Sequence, residues 1–138
     1  MKIHSTNYQN TFIEVAEDCP VNKAETPPLK GNKKSIANMQ FEILANNPYK
    51  FTSDDVLFQV FANKNDLAES EYKKERELFF SKGQPCFRAS PLTKRYGFGL
   101  HCDDNEKIAV YKRESKEYDD FLADETIKKV KAMRSKKA

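Results

Sequence analysis

The stretch Tyr96-Gly97-Phe98-Gly99-Leu100-His101-Cys102-Asp103-Asp104-Asn105-Glu106-Lys107-Ile108-Ala109-Val110-Tyr111 decides the fold class. Two runs of strand-favouring residues flank a polar turn, the pattern of a β-hairpin. Side chains alternate along a strand, so Tyr96, Phe98, Leu100 and Cys102 share one face. Gly97, Gly99 and His101 share the other. A four-residue loop would put Ile108 and Val110 on the glycine face and divide the apolar residues. A three-residue loop at Asp103-Asp104-Asn105 pairs Leu100 with Ile108 and Phe98 with Val110. All the aliphatic residues then line one face, which is how a buried sheet selects its register. Asn105 tolerates the left-handed conformation that such loops require. The second face carries Gly97, Gly99, His101, Ala109 and Tyr111. Its two glycines leave room for a ring, a backbone or a ligand.

Outward from the hairpin the pattern turns helical. Ser35 is a good N-cap for a helix to about Asn46, with Ile36, Met39 and Ile43 as its apolar stripe. Thr52 and Asp55 have capping-box spacing ahead of a second helix. Val56, Leu57, Val60 and Phe61 form its face, and Phe58 lies off that face, toward another element. A third helix is expected from about Asp66 to Lys82, stopped by Gly83. Gln84 to Pro91 reads as extended or looped, because it holds two prolines. Beyond the hairpin, Ser115 and Asp124 each cap a further expected helix, the last with Ile127, Val130 and Met133 inward. Thr11 to Ala16 is a strand. Asp18 to Lys34, with Cys19-Pro20, Pro27-Pro28 and Gly31, is a long loop of the kind that closes over sites. Strands segregated from helices give an α+β class rather than a βαβ repeat. The expectation is one domain over residues 1–138: a small antiparallel sheet including the Tyr96–Tyr111 hairpin, packed by about five helices.

Charge is divided unevenly. The chain has 24 Lys and Arg against 21 Asp and Glu. Six of the basic residues, Lys128, Lys129, Lys131, Arg134, Lys136 and Lys137, fall in the tail 127–138, which has no acid. Without them 18 basic residues face 21 acidic ones, so the body is mildly acidic. A general nucleic-acid-binding domain spreads basic charge over its body. No apolar run approaches the roughly 18 residues that cross a bilayer, so no membrane partner is expected. The start, Met1 to Ser5, lacks the apolar run of a signal peptide. With three cysteines, an odd count, the expectation is free thiols in a cytoplasmic setting.

The densest polar cluster is Arg88-Ala89-Ser90-Pro91-Leu92-Thr93-Lys94-Arg95-Tyr96. Arg grips a phosphate or carboxylate with a two-pronged fork, while Lys acts as a point charge. Hydroxyls and loop N–H groups complete an anion cradle. The candidate ligand-binding residues are therefore Arg88, Ser90, Thr93, Lys94, Arg95 and Tyr96, with His101 beside them. The competing reading is a solvated loop whose Arg residues pair with nearby acids. Cys19, Cys86, Cys102, His4 and His101 lack the close ligand pairs of structural zinc, so neither a metal nor another cofactor is expected. Cys86 with His101 is the one nucleophile–base pair to consider, with Arg88 supplying charge. No serine elbow, Walker loop or dinucleotide fingerprint is present.

Thr11 to Pro20, Tyr49 to Phe58, Phe79 to Cys86, Arg88 to His101 and Lys131 to Lys136 together resemble a family of small bacterial and fungal proteins. That family is known only as a domain of unknown function. The similarity runs from about Asn7 to Ala138, and Ser90-Pro91-Leu92-Thr93-Lys94-Arg95-Tyr96-Gly97 is its most specific part. Phe98 stands where the family suggests Trp, and Cys102 where it suggests Ser. The resemblance implies no activity. It does imply that the tail belongs to the domain.

Three functions follow as expectations. The first is a binding module for a small anionic ligand, built on Arg88, Ser90, Thr93, Lys94 and Arg95. The second is an enzyme using Cys86 or His101 in the same region. The third is a nucleic-acid accessory using the basic tail and exposed aromatics. The acidic body counts against the third, and the missing catalytic motif against the second.

Overall fold

A computed structural model describes residues 4–29, 31 and 33–135. Its frame is a four-stranded sheet in the order β3-β2-β1-β4. β1 is Thr11–Glu14, β2 Phe98–Cys102, β3 Ile108–Lys112 and β4 Lys128–Lys131. The helices are α1 (Ile36–Asn46), α2 (Ser53–Lys64), α3 (Tyr72–Phe80), α4 (Pro91–Lys94) and α5 (Lys116–Ala123). The class is α+β, as the segregated pattern implied. The sheet is mixed: β1 runs antiparallel to β2 and parallel to β4.

The hairpin keeps its expected faces but not its expected pairing. Leu100 pairs with Val110 and Cys102 with Ile108, so the connection is Asp103 to Lys107. Asp103 explains the longer loop. Its Oδ1 accepts from the backbone N–H groups of Asn105 and Lys107, each at 2.9 Å. Glu106, not Asn105, takes the positive φ, at 67°. The register moves by two residues, and a two-residue slip preserves which side chains share a face. Ile13, Phe98, Leu100, Cys102 and Ile108 therefore form one buried surface, joined by Ala37, Leu44, Val56, Phe87 and Leu92. On the opposite surface Phe12, Val15 and Tyr118 pack together, with Phe121 and Ile127 beside them. A Cβ on Gly99 would lie 2.6 Å from the Tyr118 ring and 2.7 Å from that of Phe12. The room beside Gly99 is filled from within.

Three helical expectations and one extended one need correction. The segment after Asp124 is strand β4, because its backbone completes the open edge of β1 and its Lys side chains stay largely in water. The third helix is shorter: a 3-10 turn at Glu69–Glu71 leads into α3. Gln84 to Pro91 is not wholly extended. A 3-10 turn at Phe87–Ala89 precedes α4, which starts on Pro91, a residue suited to a first helical position. Finally, α1 does not bury the Ile36, Met39, Ile43 stripe. Ile36 is 42% exposed, while Ala37, Asn38, Gln40 and Leu44 are buried.

The N-caps at Ser35, Thr52 and Ser115 are as read, while Asp124 ends α5 instead of starting a helix and Ser81, not Gly83, caps the end of α3. Ser35 and Asn38 form a reciprocal capping box on α1, and Thr52 and Asp55 on α2. Phe58 does meet another element, packing edge-to-face against Tyr72 and Phe79. Among the described residues no helix is long and apolar enough to cross a membrane.

Candidate functional site

The sheet separates the residues that the sequence grouped. His101 projects to the α5 side, where its ring stacks on Phe121 with centroids 4.3 Å apart. Its Nδ1 lies 2.8 Å from the Tyr49 hydroxyl, which lies 2.7 Å from that of Tyr111. Burial pushes the His101 pKa down, although Asp103, Asp104 and Asp124 pull it up. Burial and the Tyr111 hydroxyl push the Tyr49 pKa up. Ser90, Leu92 and Thr93 belong to the opposite, α1–α2 side. His101 is thus brought neither to Cys86 as a base nor to the Arg88–Tyr96 segment as a ligand partner.

Within that segment the hydroxyls are turned inward. The Thr93 side chain is wholly buried and donates to the Phe87 carbonyl at 2.6 Å. The Ser90 Oγ caps α4 by accepting from the Leu92 N–H, and it donates to Gln40 Oε1 at 2.6 Å. Arg88 Nε donates to the Lys131 carbonyl at 2.7 Å, and the Met133 N–H donates to the Arg88 carbonyl. Arg88 thereby fixes β4. Arg95 is exposed, and Lys94 and Tyr96 are half-buried. The cradle of two hydroxyls and three cations does not assemble, because its hydroxyls satisfy the α4 turn and α1 instead.

The described part of the long loop is tied down, in part to this segment. The Glu25 N–H donates to the Tyr96 carbonyl, Asn38 Nδ2 to Pro27 O and Arg113 to Val21 O. The described part of the tail is likewise tied down. Lys131 pairs with Glu17 at 2.9 Å, and Lys129 donates to the Asp124 carbonyl. Lys136 and Lys137 lie outside the described residues.

Two sizeable cavities flank α2. The larger, about 620 Å³, is lined by Phe51, Phe58, Tyr72, Lys73, Arg76 and Asp55 among others. Its Arg76 is already engaged: it bonds Asp55 at 2.9 Å and lies over the rings of Phe58 and Phe80. That arrangement joins α3 to α2.

The other cavity, about 440 Å³, lies between α1, α2 and the 84–91 segment. Leu57, Val60, Phe61, Phe79, Pro85 and Pro91 give it apolar walls. Its polar groups are Gln40, Lys64, Asn65, Gln84, Cys86 and Ser90, with no carboxylate and no imidazole among the described residues. Gln40 is the informative one. It is only 3% exposed, and the Ser90 hydroxyl holds its carbonyl oxygen. Its Nε2 has no partner among the described residues, so two N–H donors remain for whatever occupies the cavity. An amide whose oxygen is held by a neighbouring hydroxyl presents its two N–H donors in a set direction. Lys64, in the last turn of α2, has no ion pair among the described residues and is the only cation of the lining.

Sequence reasoning therefore found two members of this site, Ser90 and Cys86, and the neighbouring Arg88. It missed Gln40 and Lys64. Ala37, Gln40, Phe41 and Leu44 have the i, i+3, i+4, i+7 spacing of a core face, and a Gln at such a position is the signal that was there to find. All three cysteines are free thiols. Among the described residues no three His, Cys, Asp or Glu side chains are grouped to hold a metal ion.

The model of a family of unknown function, DUF6157, matches residues 3–138. No curated protein and no solved structure matches the chain.

Proposed function

The chain belongs to DUF6157, and we propose that it is a binding module for a small anionic ligand with an apolar body, held in the cavity between α1, α2 and residues 84–91. The carrying observation is the Gln40 amide, which lines the cavity with its oxygen held by the Ser90 hydroxyl and its N–H groups without a partner among the described residues. Such a group favours a ligand with an acceptor oxygen, since a donor that is already oriented loses little freedom on pairing. The apolar walls favour a hydrocarbon body. Lys64 and the absence of any acid in the lining favour a carboxylate or phosphate over an amine. A cytoplasmic setting accords with three unpaired thiols.

Thermal shift with 3-phenylpropionate and the matching amine, phenethylamine, tests this reading. At ten times its Kd the acid stabilises by about 1.4 kcal/mol. Gln40→Leu removes the donor and abolishes the shift. Because it also strands the Ser90 hydroxyl, the shift is measured from the variant's own ligand-free Tm. Arg88→Ala with Arg95→Ala leaves the shift intact if the cavity is the site. Equal stabilisation by the amine refutes the anion preference. Loss of the shift in the double Arg variant, with retention in Gln40→Leu, moves the site to the Arg88–Tyr96 segment.

A further inference from the structure

The cavity also contains a thiol whose surroundings differ from those of the other two cysteines. Cys102 is 2% exposed in the main core, and burial pushes its pKa up to about 12. Cys19 packs beside the Phe12 cluster. Cys86 lines the cavity, and its Sγ lies 3.5 Å from the Tyr8 hydroxyl. Burial, and next the hydrogen bond to Cys86, push the Tyr8 pKa up to about 12, so that hydroxyl keeps its proton at neutral pH. Arg88, its Nε fixed by the Lys131 carbonyl, lies close enough to Tyr8 to favour negative charge there. Cys86 is thus the cysteine that an occupant of the cavity meets, and the Tyr8 hydroxyl is the polar group beside its sulfur.

We propose that Cys86 captures α,β-unsaturated carbonyl compounds that enter the cavity, by conjugate addition, with the Gln40 amide receiving the carbonyl oxygen. The proposal rests on the ligand-binding reading above and assigns the reactive class within it. The Cys86 thiolate sulfur forms a bond to the β-carbon. The π pair of the C=C bond moves toward the carbonyl, and the enolate oxygen accepts from Gln40 Nε2. The α-carbon then takes up one proton from solvent, replacing the one that the thiol released. The carbonyl is restored, no group leaves, and no oxidant or reductant is consumed. Oxygen charge develops at the enolate, so a fixed donor aimed there stabilises the addition more than the free enone.

The same lining weighs against acyl transfer. Turnover of a thioester needs a base to activate water, and the cavity holds neither imidazole nor carboxylate. His101, the base that the sequence offered, is across the sheet on Phe121. Addition needs no such base once the thiolate has formed, because water supplies the closing proton.

The probe is 3-benzoylacrylic acid, an enone carrying a phenyl body and a carboxylate. Iodoacetamide, which has no apolar body to seat, serves as the reference alkylator. Adduct formation is followed by intact-mass spectrometry, assigned by peptide mapping, and each rate is divided by the rate of glutathione with the same reagent. The expected result is modification at Cys86, with a normalised probe rate at least ten times the normalised iodoacetamide rate. Gln40→Leu lowers the probe rate about tenfold and leaves the iodoacetamide rate within twofold. Tyr8→Phe lowers both rates. Equal normalised rates for the two reagents, or preferential labelling of Cys19, overturn the proposal. The saturated analogue, 3-benzoylpropionic acid, separates the two readings in Cys86→Ser protein. If it binds in a Gln40-dependent way while the probe gains no rate, the covalent step falls and the binding module stands. If it neither binds nor is matched by any probe acceleration, both fall.

Discussion

Gly99→Ala should be among the most destabilising single-methyl additions in this chain, and the structure gives its sign and size. The substitution is allowed by the backbone, since only Gly31 and Gly97 among the glycines have positive φ. Without steric conflict, Ala would stabilise by about 0.4–1 kcal/mol, by restricting the unfolded chain. The added Cβ, however, lies 2.6 Å from Tyr118 Cε2 and 2.7 Å from Phe12 Cζ. Neither ring can swing away. Phe12 is fully buried, edge-on to Tyr118 at 4.9 Å and stacked on Phe121 at 5.0 Å. Tyr118 accepts from the Val15 N–H at 2.9 Å, and moving its ring stretches that bond. Overpacking of this kind costs about 1–3 kcal/mol, and the strained hydrogen bond adds about 1 kcal/mol. Set against the gain from restricting the unfolded chain, the net expectation is a loss of about 1–3.5 kcal/mol, or a Tm drop of roughly 4–12 °C for a chain of this length. Urea denaturation gives the free energy. A second background, Tyr118→Leu, removes the nearest ring atom and should reduce the cost of Gly99→Ala by about 1 kcal/mol or more. A cost under 1 kcal/mol, or the same cost in both backgrounds, would show that the rings do not hold the glycine position.

Asp54 accepts from Ser5 Oγ, from the Thr6 N–H and from Thr6 Oγ1, at 2.8, 2.7 and 2.7 Å. Asp54→Ala should therefore cost about 3 kcal/mol in urea and speed hydrogen exchange at the Thr6 amide; an unchanged exchange rate there would contradict this anchoring role. Cys102 predicts an alkaline limit to stability. Burial raises its pKa from 9.0 to about 12, so the unfolded chain loses the proton first as pH rises. Its contribution is full below about pH 9 and is lost between about 9 and 12, amounting to about 2 kcal/mol at pH 10.5. Stability measured against pH should fall less steeply over that range in Cys102→Ala, and parallel curves would remove Cys102 from the account.

What the sequence revealed of the fold depended on whether side chains or backbone made the decision. The hairpin faces were legible because parity depends only on alternation, which Phe98, Leu100, Cys102, Ile108 and Val110 display. Its pairing was not, because Asp103 closes the loop with two bonds to backbone N–H groups, a choice that leaves no mark on hydrophobic pattern. β4 was hidden for a related reason. Ile127, Val130 and Met133 are spaced as on a helix, yet the segment becomes a strand because β1 offers it an unpaired edge. Its own content, Lys-Lys-Val-Lys, is what natural sheets place at an exposed edge to discourage further pairing.

The candidate site was harder to read because its parts come from segments far apart in the chain. Ser90 was singled out for its hydroxyl, on the supposition that the hydroxyl faces solvent. Instead it spends its proton on Gln40, 50 residues earlier, and so orients the amide rather than meeting a ligand itself. The same inversion applies to Arg88, whose guanidinium holds β4 to the 84–91 segment and only then lies beside Tyr8. In both cases a polar residue chosen for direct contact acts through another residue. In the function proposed above the direct contacts fall to Gln40, in a helix that looked merely amphipathic, and to Cys86, which the sequence offered with a different partner. Both stand where an apolar residue would have served packing equally well. Gln40 on the core face of α1 is the less expected of the two, because a Leu there would bury more apolar surface and need no partner. A folding argument accounts for Ala37 and Leu44 on that face, whereas Gln40 receives the Ser90 hydroxyl and, in the function proposed above, offers its N–H groups to the ligand.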